Sequence, residues 1–109
     1  MIGIDVPGAA LTHNARLAAR MMRLLASQVD ASAARASGRL QRLPVAELMR
    51  QHASLWTALA DASDASDADG VAAALAALAE AVDEHPGLLP QRYPGLVAAA
   101  ERDLAAGRR

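Results

Sequence analysis

The sequence contains no cysteine, no lysine and no phenylalanine, and its aromatic residues are one tryptophan, Trp56, and one tyrosine, Tyr93. Without cysteine there is no disulfide framework and no thiolate metal site. Without lysine, all 11 basic residues are arginine, which together with the excess of Ala and Leu reads as the product of a GC-rich, bacterial coding sequence. Long apolar runs are missing too. The longest, Val71–Ala79, holds nine residues, too few to cross a bilayer, so no membrane partner is expected. The first residues, MIGIDVPGAALTHN, show no basic stretch ahead of a long apolar one. No secretory signal is read there, and a cytoplasmic location is expected.

What remains is a chain of 109 residues that is 53% hydrophobic, half of that alanine, with a net charge of −1. Its large apolar residues are 15 Leu, 6 Val, 4 Met, 2 Ile, Trp56 and Tyr93. They recur with the period of a helix, not a strand. Leu11, Ala15, Ala18, Met22, Leu25 and Val29 form one stripe. Val45, Leu48, His52, Leu55 and Leu59 form a second, and Val71, Leu75, Leu78, Val82 and His85 a third. Leu96, Val97, Ala100 and Leu104 give a short last face. Pro7-Gly8, Gly38, Pro44, the polar run SDASDADG, Pro86-Gly87 and Pro94 punctuate these segments. The pattern predicts an all-α fold, a small antiparallel helical bundle of three long helices plus a shorter C-terminal helix. The helices are expected over roughly 8–37, 44–62, 67–85 and 94–106, as one helical domain spanning 1–109.

Charge is unevenly distributed. Through Arg50, seven arginines face Asp5, Asp30 and Glu47, whereas residues 51–107 set nine carboxylates against Arg92 and Arg102. The two halves are expected to complement each other inside the fold, or to orient two copies or a charged partner. Arg35, Arg39 and Arg42 stand at steps of 4 and 3. Without net positive charge or nearby stacking aromatics they do not point to nucleic acid, and pairing with Glu80, Asp83 and Glu84, or solvation, is expected.

The first helix has a second apolar stripe, Leu17, Met21 and Leu24, beside its core stripe, with His13, Arg16, Arg20 and Arg23 opposite. An arc this wide is either covered by two neighbours or left open as a docking surface. The expected protein-binding residues are Leu17, Met21 and Leu24, with Trp56 as a possible anchor. The partner is another protein or a second copy of the chain. No catalytic set is found: there is no phosphate-binding glycine loop, no GxSxG and no HExxH. The DASDADG run fails as a calcium loop, because Ala65 and Ala76 occupy two ligand positions, and it reads as helix capping. No enzyme activity and no cofactor are expected. The leading reading is a protein-protein interaction module of the adaptor, secretion-chaperone, immunity-protein or small-subunit kind.

The alternative is a metal- or haem-binding bundle using His52 and His85. His52, the Leu-rich helix, His85 and the Tyr93-Pro94 ending resemble part of a hemerythrin-type bundle, which implies histidines and following glutamates holding two irons. Here Trp56 and Leu89 stand where those glutamates would be. Residues 56–86 also resemble a tetratricopeptide-type hairpin, through Trp56, Leu59 and Ala60 and then Ala74, Leu78, Ala81 and Pro86. That resemblance implies a protein-binding hairpin. Its turn is two residues longer than the family's, and Ser63 replaces a bulky residue.

Overall fold

A computed structural model describes residues 5–39, 43–88 and 94–108. They form four helices in chain order: α1 Asp5–Ser37, α2 Pro44–Asp64, α3 Ala68–Glu84 and α4 Pro94–Ala105. No strand is present among the described residues, so the all-α expectation holds. The body is long and thin, with principal extents of 56 × 30 × 19 Å. Among the described residues α1 packs against α2 and α4, and α2 against α3, while α3 and α4 do not touch. The bundle is therefore open: α1 and α2 form a central pair, with one further helix on each flank.

Alanine builds the central pair. Ala46, Ala53 and Ala60 recur every seventh residue on α2 and are fully buried, facing Ala15, Ala19, Met22 and Ala26 of α1, which are buried as well. Small side chains at a heptad repeat let helix axes approach to the lower end of about 8–10 Å. This seam lies one residue along from the stripe that the large residues predict. Val45, expected inside, is 39% exposed, and Ala46 takes its place.

Both ends of the pair are tied by hydrogen bonds. At one end the Ser63 hydroxyl donates to the Gly8 carbonyl and accepts from the Thr12 hydroxyl at 2.7 Å. At the other, Asp30 accepts from the Leu43 backbone N–H at 3.2 Å and from the Arg50 guanidinium. Leu43 is the N-cap of α2 and has no side-chain cap of its own, so Asp30 on α1 satisfies an N–H that the helix start would leave unpaired. Pro44 occupies the first turn, where its missing N–H costs nothing. α1 ends at Gly38, whose φ of +75° is the left-handed geometry that glycine adopts without strain.

The turn between α2 and α3 reverses the chain in three residues. The N–H of Ser66 bonds the Ser63 carbonyl and that of Asp67 bonds the Ala62 carbonyl, the paired closure of a Schellman motif. Ser66 sits in its left-handed position, with φ of 55°. Asp67 then caps α3, accepting from the Gly70 N–H at 3.0 Å. Capping is thus what the aspartate run does here.

Candidate functional site

The residues expected to dock a partner are largely internal. Leu17 is 2% exposed and Met21 1%, and both pack with Leu96 and Ala100 of α4. Leu24 is half-buried against the same cluster. Trp56, also half-buried, lies between two core clusters and packs against Leu59, Ala60 and Met22 among others. Of the two readings of this arc, covered or open, the burial of Leu17 and Met21 under the short apolar face of α4 supports the covered one. Alone, a helix of 12 residues is marginal in water; it persists by burying Leu96 and Ala100 and by an ion pair in which Asp103 accepts from Arg20 at 2.7 Å.

The open apolar face lies elsewhere, on α3. Val71, Ala74 and Leu78 turn toward Leu59, Ala60 and Ala15. Leu75, expected in that core stripe, is 47% exposed. With Ala68, Ala72 and Ala79, all exposed, it makes a second stripe at steps of 4, 3 and 4. Asp69, Glu80 and Asp83 run along one edge of this stripe and are exposed as well. α3 has no basic residue, and none of its carboxylates has an ion-pair partner among the described residues.

Elsewhere several of the charges are paired. Arg16 lies 3.7 Å from Asp61 and 3.4 Å from Asp64, and Arg50 reaches Asp30 and Glu47. Complementarity inside the chain is thus spent on α1, α2 and α4. Arg23 differs from its neighbours, since among the described residues it donates to the Thr57 hydroxyl, at 3.3 Å, and not to a carboxylate. Burial, and then repulsion from Arg20, hold its guanidinium below the ordinary arginine value. Arg35 and Arg39 are exposed and do not reach Glu80, Asp83 or Glu84; Arg35 donates to Ser32. Arg42 and Tyr93 lie outside the described residues.

The structure does bring the two candidate histidines together. His52 is 3% exposed, and its ring centroid lies 6.2 Å from that of His85, the C-cap of α3. The Nδ1 atom of His52 is buried without a hydrogen-bond partner. Burial and then repulsion from His85 lower the pKa of His52, outweighing a hydrogen bond to the Leu88 backbone and the pull of Glu84. The neutral imidazole is the form that fits. A pair supplies two nitrogen donors, and no group of three His, Cys, Asp or Glu residues able to hold a metal ion occurs among the described residues.

No helix among the described residues is long and apolar enough to cross a membrane. Compared with known proteins, the chain matches no family model, no curated protein and no solved structure. The hemerythrin and tetratricopeptide resemblances accordingly rest on the quoted residues alone. Sequence reasoning missed Leu75 as a surface residue. The signal was present in the alanines at 68, 72 and 79, which give α3 two apolar stripes where a helix packed on one side needs one.

Proposed function

We propose that the protein is a non-enzymatic protein-protein interaction module whose docking face is the outer side of α3. The observation that carries this reading is the exposed stripe Ala68, Ala72, Leu75 and Ala79, edged by carboxylates with no partner among the described residues. Small residues around one leucine admit a closely approaching helix, and the acidic edge selects one with arginine or lysine alongside its apolar side. The fitting partner is therefore a basic amphipathic helix.

The test compares tagged wild-type protein with Leu75→Asp and Glu80→Arg in extract of the native host, read by mass spectrometry. A basic helical protein recovered by the wild type and lost with both variants supports the reading. Recovery of the same proteins by all three baits overturns it.

The alternative, a metal- or haem-binding bundle, draws on the His52–His85 pair and its unpartnered Nδ1. Metal analysis of untagged protein separates the two readings. One equivalent of transition metal or haem, lost in His85→Gln, would replace the docking function with this one.

A further inference from the structure

The inner side of the α2–α3 hairpin holds donor atoms that the docking face does not involve. His52 is 3% exposed, and its Nδ1 atom is buried with no hydrogen-bond partner, an arrangement that destabilises a fold unless a ligand takes the lone pair. The His85 ring lies 6.2 Å away, centroid to centroid. Thioethers gather at the same place. Met22 is buried in a cluster against which Met49 and Leu88 pack. Met49 stands three residues before His52, on the same face of α2, and Leu88 three residues after His85.

The separation of the rings and the nature of the donors both discriminate among ions. Two imidazoles that share one ion through metal–nitrogen bonds of about 2.0 Å hold their centroids about 5 Å apart at a tetrahedral angle, and about 6 Å apart when the nitrogens stand on opposite sides of the ion. The observed 6.2 Å belongs to the second case. Zinc is held by three or four nitrogen, thiolate or carboxylate ligands, and no group of three His, Cys, Asp or Glu residues able to hold a metal ion occurs among the described residues. Thioether sulfur, by contrast, is a soft donor that selects monovalent copper. Charge points the same way: the imidazoles and thioethers are neutral, and one positive charge is less costly to bury than two.

We propose that His52, His85 and Met49 form a binding site for a soft monovalent ion, Cu(I), which bridges α2 to the C-terminal end of α3. The Nδ1 atom of His52 and a ring nitrogen of His85 hold the ion from opposite sides, and the flexible Met49 side chain brings its sulfur in as the third donor. The neutral imidazole that fits at His52 is the ligating form, so no proton has to leave it. This inference rests on the metal-binding reading of the histidine pair and adds to it the ion and the third ligand. The docking face is untouched, since Leu75 is on the exposed side of α3 whereas the His85 ring meets α2.

Titration of the metal-free, full-length chain with Cu(I) tests this, the ion being offered under nitrogen as its bicinchoninate complex and its transfer read by the loss of colour. One equivalent is expected, while Zn(II) should fill less than about a tenth of the site at the same concentration. His85→Gln should weaken Cu(I) binding by at least the roughly 10–100-fold that even outer-sphere changes cost a metal site, and Met49→Leu, which keeps the side-chain volume, by about tenfold. Circular dichroism confirms that both variants are folded. Bound Cu(I) should also slow amide exchange in α3 and leave α4 unchanged, a response that an ion held at the surface, by His13 for example, would not give. Uptake equal in the wild type and in either variant overturns the inference. So does Zn(II) binding as tightly as Cu(I) with the same dependence on His85, in which case the metal-binding reading survives and the soft site alone falls. If neither ion is taken up, both fall.

Discussion

Two helices of this protein carry a second apolar stripe, and the two stripes have opposite fates. On α1 the stripe is made of large residues, Leu17, Met21 and Leu24, and is covered by α4. On α3 it is made of alanines around Leu75, and stands open. Charge follows the same division, with Arg20 beside the covered stripe bonded to Asp103 while the carboxylates beside the open one have no partner among the described residues. The difference teaches that the width of an apolar arc shows that a helix needs a second neighbour, and the pairing of the charges beside it shows whether the chain itself supplies one.

The sharpest way to break the comparison is to shorten a side chain on the covered stripe. Met21→Ala should cost about 2–5 kcal/mol in chemical denaturation, the range for large-to-small changes in a core; a loss below 1 kcal/mol would mean that α4 does not seal this face. Next comes the ion pair. Arg20→Gln should destabilise by about 1.5–3 kcal/mol, as loss of a hydrogen-bonded charged partner does, with a fall in helicity corresponding to α4.

A third effect concerns the packing of α3 on α2. The pKa of His52 is lowered in the folded state, so below the ordinary histidine value of about 6.5 the unfolded chain binds a proton that the fold resists. Stability should be fully present above pH 6.5 and decline as the pH falls toward the folded-state pKa of His52. The groups near this imidazole are His85 and Glu84 of α3. His52→Gln should flatten the decline in thermal melts recorded across this range, and an unchanged slope would remove His52 as its source.

Smaller still, Ser66→Gly should stabilise by up to about 1 kcal/mol, relieving a left-handed conformation that glycine adopts freely. The least effect is expected on the open stripe, where Leu75→Asp should change stability by no more than about 0.5 kcal/mol. Against the large loss at Met21, that near-null result completes the contrast, and a large loss at Leu75 would erase it.

The helices and their order were legible because period, proline and glycine agreed at each boundary. Lateral placement was less so. A stripe of Val45, Leu48, His52, Leu55 and Leu59 names the face of α2 to within one residue, but the closest contact belongs to Ala46, Ala53 and Ala60, whose small size is the reason for it. Leu17 and Met21 read equally well as covered or open, because the cover lies some 80 residues away in a helix whose large apolar residues are only Leu96, Val97 and Leu104. His52 and His85 were both placed on core stripes, yet their approach to 6.2 Å depends on where the α2–α3 turn sets the register. That register follows from Ser66 and Asp67, and periodicity carries no information about it.

The 19 Å thickness of the body has a consequence for how it opens. α3 and α4 flank the central pair without touching each other, so each can lift away while the other stays in place. Amide hydrogen exchange should therefore report two separate partial openings, one for each flanking helix, beneath a single slowest class confined to the middle of α1 and α2. A ligand seated on α3 would slow exchange in that helix and leave α4 as it was. Mechanically the molecule is a two-helix spine with two independent flaps.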